Sequence, residues 1–167
     1  DHPVLSQVTD EATSWLIALK QHAITVNKEW ADKLGINQAA AVTTVKPSGT
    51  VSQLVDSASG KHERYSQYYF RTVRADKKDP LAQLMRAQGF PVEDCVSKPE
   101  STDIFVFPVK APEGSIFRND RTAIQQLEHY LMFQTHWSEH NVSNTIYVKD
   151  SEWLAVGAWV YEHFNAI

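Results

Sequence analysis

The run AVTTVK at residues 41–46 constrains the fold more than any other stretch, because it is rich in β-branched residues and ends at Pro47. β-branched side chains favour strands, and proline cannot extend a hydrogen-bonded ladder, so we predict a buried strand that ends here. A short helix is predicted at 50–58, where the apolar residues share one face. A strand that leads directly into a helix is typical of α/β proteins.

The apolar pattern of the remaining chain continues this alternation. Spacings of three and four residues predict helices, and β-type patterns predict strands. The predicted helices are 9–34, 79–90, 122–140 and 152–164, and the predicted strands are 66–76, 103–112 and 143–150. The polar segment before Thr102 contains two prolines and is predicted to be a loop. Pro108 indicates that the strand around it is an edge strand or carries a bulge.

Together these elements predict one α/β domain over residues 1–167, with about five helices, four strands and some parallel pairing. As an alternative, the strands at 66–76 and 103–112 pair with each other as an antiparallel arm. This number of strands is small for a closed barrel, so we expect the chain to be part of a larger architecture. The missing initiator Met is consistent with a piece of a longer protein.

Composition narrows the class of protein. Hydrophobic residues make up 43% of the chain and charged residues 22%, which is typical of a globular protein with a real core. A formal charge of −4 argues against a nucleic-acid partner, and no stretch approaches the ~20 apolar residues of a membrane span. Cys95 is the sole cysteine, so no internal disulfide forms, and we predict a cytoplasmic location.

The turn after the first predicted strand has the chemistry of an anion site. The first N–H groups of a helix lack partners inside the helix and attract negative charge. Ser48, Thr50 and Ser52 add hydroxyl groups, Gly49 permits close approach to the backbone, and Lys46 adds a positive charge. The pattern matches no named phosphate motif, and on the residues alone a plain capped turn is the favoured alternative.

Two other groups of residues suggest chemistry. His136 and His140 lie four residues apart on one predicted helix, a spacing that can hold a metal, but no third ligand is nearby and a solvated helix end is favoured. Cys95 follows Glu93 and Asp94, whose charges would disfavour a thiolate and so argue against a nucleophile.

Four segments of the chain are informative together: KPSGTVSQLVDSASG, RYSQYYFRTVRADKKDP, WSEHNVSNTIYV and EWLAVGAWVYEHF. They resemble the C-terminal part of the catalytic barrel of adenosylcobalamin-dependent (class II) ribonucleotide reductases, of the monomeric ribonucleoside-triphosphate reductase type. The resemblance implies part of a ten-stranded α/β barrel and a role in converting ribonucleotides to deoxyribonucleotides. It also implies that a nucleoside triphosphate binds through its phosphates. The residues implied for phosphate binding are Pro47, Ser48, Gly49, Thr50, Val51 and Ser52.

The sequence departs from the family in the residues of radical chemistry. It has no Asn-x-Cys-x-Glu motif, and Cys95 lies in the wrong segment, so we assign no catalytic residue and expect the chain alone to be inactive. Adenosylcobalamin is implied for the whole enzyme, and neither cofactor nor metal is expected for this chain alone. A second departure follows Gly60, where the family has a histidine with an apolar residue and a proline around it. This chain has Lys61, His62, Glu63 and Arg64 there.

Two hypotheses follow from the resemblance. In the first, the chain is a fragment or split piece that supplies the phosphate loop to a complementing reductase chain. In the second, it is a stand-alone remnant that binds a nucleotide or associates with itself without catalysis. Exposed strand edges would favour such self-association.

Overall fold

The computed structural model describes residues 2–167. Its helices are α1 (Asp10–Leu34), α2 (Val51–Leu54), α3 (Pro80–Ala87), α4 (Ala123–His136) and α5 (Trp153–Glu162), the last preceded by a 3-10 turn at Asp150–Glu152. Its strands are β1 (Tyr68–Asp76), β2 (Val92–Asp94) and β3 (Thr102–Lys110). The contacts divide the chain into two compact units, one comprising residues 1–64 and 114–167 and the other Tyr65–Glu113. None of the helices in the described part is long and apolar enough to cross a membrane.

The two long helices of the first unit are capped by the residues at which the predicted helices 9–34 and 122–140 begin. The Thr9 hydroxyl accepts a hydrogen bond from the Ala12 N–H at 3.1 Å, and Gly35 ends α1 with a positive φ of 64°. Thr122 and Gln125 form a reciprocal capping box at the start of α4. These local signals confirm the two predicted helices, although α4 ends at His136 and not near residue 140.

Packing of α1 against α4 forms the core of this unit. Ala12 and Leu16 of α1 are buried against Met132 of α4. The surrounding partly buried side chains are Val4, Leu5, Phe133 and Trp137. Only the first part of the apolar stripe of α1 is buried in this core, because Trp30 and Leu34 near the end of the helix are 56% and 63% exposed.

The predicted strands at 41–46 and 143–150 are wrong, because both segments are irregular in the structure. They contact each other through a Ser143 N–H that donates to the Val45 carbonyl at 3.0 Å. Side chains satisfy other backbone groups: the Thr145 N–H donates to His62 Nε2 at 3.0 Å, and the Tyr147 N–H donates to Gln126 Oε1 at 2.9 Å. Strand composition alone does not form a ladder without a neighbouring strand.

The predicted helix at 50–58 is also shorter than its pattern indicates. α2 consists of a single turn, and Asp56 takes a φ of 48° that ends any continuation. Some parallel pairing was expected, and within the described residues it is limited to an isolated bridge between Arg64 and Phe117.

The second unit is the antiparallel arm that the sequence offers as an alternative. β1 pairs with β3 from Tyr68 opposite Lys110 to Asp76 opposite Thr102, and β2 adds to the other side of β3. β2 lies in the predicted loop and was missed because it has only three residues, two of them acidic. Pro108 lies beyond the part of β3 that β2 covers, so its missing N–H removes no bond to β2.

Candidate functional site

The predicted phosphate loop, residues 47–52, leads from the irregular segment 41–46 into α2. Ser48 closes the turn, since its hydroxyl accepts from the Ser52 N–H at 3.2 Å and its carbonyl accepts from Ser59 Oγ at 2.7 Å. Ser52 is buried, with 4% of its surface exposed. The Ser48 hydroxyl and the Ser52 backbone N–H therefore stabilise the turn from inside.

The outer surface of this loop is formed by Pro47, Gly49, Thr50 and Val51, which are all exposed. Thr50 begins α2 without a side-chain cap. Within residues 2–167, the backbone N–H groups of Thr50 and Val51 make no hydrogen bond. Such donors can bind an anion, although a helix of one turn adds little dipole to the attraction.

Neighbouring residues fix the path of the loop. Gly60 has a φ of +61°, and a Cβ placed there would lie 3.4 Å from the Lys46 carbonyl oxygen and from Pro47 Cα. The buried Arg64 guanidinium donates to the Asp56 carbonyl oxygen at 2.6 Å and to Asp56 Oδ1 at 3.3 Å. The backbone after α2 is therefore held close to the start of the loop.

Lys46, which the sequence suggests as a positive charge beside the loop, is exposed. Its Nζ donates to Ser143 Oγ at 2.8 Å, so the ammonium is engaged by the segment 143–150. Lys46 also lines a cavity of about 510 Å³ in the same unit. The cavity is within the size range of small-molecule sites.

Most of the cavity wall is apolar and comes from α1, α4 and the segments before and between them. The apolar lining includes Leu5, Leu16, Leu19, Val45, Phe133 and Trp137. Polar groups enter from the loop after α2 and from the residues around α4, with Lys61, Glu63, Arg121 and His129 among them. The sequence did not single out this cavity, because it is formed by segments far apart in the chain.

The charged residues of the cavity are largely buried. Arg121 Nη1 lies 3.3 Å from Glu63 Oε1, and these side chains are 14% and 4% exposed. Arg121 also donates to the Ser6 carbonyl oxygen. Lys61 is 8% exposed, and within the described residues it makes no hydrogen bond or ion pair. Burial lowers the pKa of Lys61 from 10.5 to about 8.

His129 is held as a neutral ring. Its Nε2 lies 2.9 Å from the Leu5 carbonyl oxygen and donates to it, while Arg121 Nη1 approaches Nδ1 at 3.3 Å as a donor. Burial lowers the pKa of His129 to about 4. The cavity is therefore lined by three positive charges, from Lys46, Lys61 and Arg121, and by one negative charge, from Glu63.

The two other candidates from the sequence lie elsewhere. Glu139, beside His136 and His140, accepts from the Val42 and Thr43 N–H groups at 2.6 and 3.0 Å, and these bonds lower its pKa. No group of three His, Cys, Asp or Glu residues suited to a metal occurs in the described part of the chain.

The argument that acidic neighbours disfavour a Cys95 thiolate is wrong in direction. A hydrogen bond between Cys95 Sγ and Ser97 Oγ, 3.4 Å apart, is the largest cause that lowers the thiol pKa. The Asp94 carboxylate instead accepts from Lys77 Nζ at 2.7 Å. The thiol itself remains 3% exposed, which restricts its access to reactants.

Comparison with known proteins gives relatives of one kind. The chain is 33% identical to an adenosylcobalamin-dependent ribonucleoside-triphosphate reductase of Lactobacillus delbrueckii subsp. bulgaricus, over 80% of this chain and 18% of the relative. It is 36% identical to the enzyme of the same name from Euglena gracilis, over 71% and 16% of the two chains. No family model matches the chain.

A solved structure of a B12-dependent (class II) ribonucleotide reductase matches with a TM-score of 0.76 and 28% identity, covering 93% of this chain and 22% of that one. The chain is therefore homologous to class II ribonucleotide reductases over most of its length. It spans about one fifth of the length of the relatives that it matches. This homology confirms the resemblance to class II ribonucleotide reductases that the sequence indicates.

Proposed function

We propose, from this homology to adenosylcobalamin-dependent ribonucleotide reductases, that the chain is a fragment or split piece of such an enzyme and supplies its substrate phosphate-binding loop. The loop is formed by Pro47, Ser48, Gly49, Thr50, Val51 and Ser52, and the phosphates of a nucleoside triphosphate bind there. In this proposal the chain corresponds to the C-terminal part of the catalytic barrel. Catalysis requires a complementing reductase chain.

The N–H groups of the exposed residues Thr50 and Val51, which make no hydrogen bond within residues 2–167, are the observation that best supports this site. They lie next to an exposed Gly49, at which even a Cβ would meet nothing within 4 Å. A phosphate oxygen can therefore reach the backbone without steric hindrance. The hydroxyl of Thr50, which caps nothing, is a further donor for the same anion.

Nucleotide titration of a Gly49→Glu variant tests the loop. The new side chain fits, because Gly49 has open space and no positive φ, and its carboxylate should repel phosphate and weaken binding by about tenfold or more. Gly157→Glu is a matched control, since Gly157 in α5 also has open space and the charge change is the same. Calorimetry should give equal affinities for the wild type and the control. Equal binding by Gly49→Glu would contradict the assignment.

The proposal assigns cobalamin chemistry to the complementing chain. Cobalamin is far larger than the drug-sized ligands that cavities of about 510 Å³ accept, and we find no fit for it among the described residues. The reductase role is tested by adding the chain, with adenosylcobalamin and a dithiol, to a reductase chain that carries the finger-loop cysteine. Restored nucleotide reduction is expected, and its absence with a competent partner would contradict the split-enzyme form.

Self-association of a non-catalytic remnant is a second candidate function. α5 and the residues after it expose large apolar side chains, with Leu154 91%, Tyr161 85% and Phe164 71% exposed. Surfaces of this kind bind protein partners, either a complementing chain or a second copy. Sedimentation equilibrium distinguishes the two: a stable dimer favours the remnant, and a monomer that binds the complementing chain favours the split enzyme.

A further inference from the structure

The cavity contains one buried positive charge, that of Lys61, that pairs with no group in the described chain. Glu63 attracts the Lys61 ammonium, but its carboxylate is 3.3 Å from Arg121 and forms an ion pair there. Arg121 and Glu63 thus balance each other. Lys46 also lines the space, but it is exposed and its Nζ donates to Ser143 Oγ. Lys61 is more than nine-tenths buried, and it is the buried cation of the cavity that has no partner among the described residues.

A buried ammonium without a partner is unfavourable, and a bound anion would remove most of that cost. The neutral His129 ring does not compete for the anion, because its Nε2 hydrogen atom is used by the Leu5 carbonyl oxygen. The surrounding walls of Leu16, Phe133 and Trp137 favour an apolar ligand body.

We propose that this cavity binds a small organic monocarboxylate, whose carboxylate pairs with the Lys61 ammonium and whose apolar or aromatic body packs against Leu16, Phe133 and Trp137. A single negative charge matches the one buried ammonium that lacks a partner. A phosphate dianion would bring a second negative charge, for which the cavity offers only the exposed Lys46 ammonium, so it should bind less well. The site involves none of the residues 47–52 and does not depend on the proposed phosphate loop.

Calorimetric titration of the whole chain with 2-naphthoate tests the site, with 2-naphthamide as the neutral analogue and naphthyl phosphate as the dianion. The carboxylate should bind at least about tenfold more tightly than the amide and more tightly than the phosphate, since a charge-assisted hydrogen bond is lost in the amide. Equal binding of carboxylate and amide, or tighter binding of the phosphate, would overturn the proposal.

Variants at Lys61 identify the cation that binds. Lys61→Met should lower carboxylate affinity by about tenfold or more, and Lys61→Arg should retain most of it. Lys28→Met is the control, because Lys28 is an exposed residue of α1 and the charge change is identical. An unchanged affinity in Lys61→Met would overturn the assignment.

A measurement on the wild type keeps the test independent of folding in the variants. The indole N–H of Trp137 donates to the Thr44 carbonyl oxygen at 3.0 Å, and both residues line the cavity. Its NMR signal, assigned with a Trp137→Phe variant, should shift on addition of 2-naphthoate. Binding without any shift of this signal would place the carboxylate elsewhere and contradict the proposal.

Discussion

Replacement of Lys61 by methionine should stabilise the ligand-free chain. Lys61 is 8% exposed, and burial lowers its pKa from 10.5 to about 8. At about 1.4 kcal/mol per pKa unit, this difference corresponds to a penalty on the order of 3 kcal/mol for keeping the ammonium in the folded state. Methionine has a similar length, fills apolar cavities well and carries no charge. We therefore expect the free energy of unfolding to increase by up to about 3 kcal/mol at pH 7.

Urea denaturation at several pH values is the assay, because the Lys61 effect has a defined pH window. The folded-state pKa lies below the unfolded one, so the unfolded chain binds more protons between about pH 8 and pH 10.5. Wild-type stability should rise with pH across this window relative to Lys61→Met, and the difference between the two should be constant below pH 8. Lys28→Met should show neither effect, since Lys28 is exposed. A Lys61→Met variant that is no more stable at pH 7, with the same pH dependence as the wild type, would refute the reasoning.

Two further predictions concern the same unit. Because burial lowers the pKa of His129 from 6.5 to about 4, the unfolded chain binds more protons between these values, and stability should fall by on the order of 3 kcal/mol as the pH decreases through this range. His129→Gln should reduce that loss in urea titrations at pH 7 and pH 4.5, and an equal loss in both proteins would contradict the role of His129. Gly60→Ala should destabilise by about 1–2 kcal/mol, because φ is +61°, a backbone conformation that residues with a side chain rarely adopt. Gly49→Ala, with no positive φ and open space, is its control in thermal melts, and equal melting temperatures would exclude strain at Gly60.

The starts of α1, α3 and α4 were predicted well because their signals are local. Thr9 and Thr122 cap α1 and α4 through hydrogen bonds to residues only three positions away, and Asp79 accepts from the Leu81 N–H at 2.8 Å at the start of α3. The antiparallel pairing of β1 with β3 was available from the strand patterns as one of two alternatives. The sequence alone could not choose between them, because strand pairing depends on distant residues.

The cavity could not be predicted, because its residues come from segments that lie far apart in the chain. The available signal was the charged run from Lys61 to Arg64, where the resemblance leads one to expect an apolar residue and a proline. That run suggested an altered loop path and gave no indication that Lys61 is buried. Cys95 illustrates the same limit: its acidic neighbours in sequence do not determine its pKa, because Asp94 pairs with Lys77 and the thiol contacts Ser97.

The segments 41–46 and 143–150 connect the fold to the proposed function. Both have strand-like sequences, yet side chains of His62, Gln126 and Glu139 satisfy much of their backbone in place of a ladder. The segment 41–46 leads directly into the proposed phosphate loop, so these side-chain contacts determine where the loop begins. Side-chain hydrogen bonds hold a backbone less rigidly than neighbouring strands on both sides would. A loosely held loop loses conformational entropy when an anion binds to it, and this loss weakens binding. If a complementing reductase chain supplied neighbouring strands, the loop would already be ordered before the nucleotide binds. We therefore expect the chain alone to bind nucleotides more weakly than the assembled pair does.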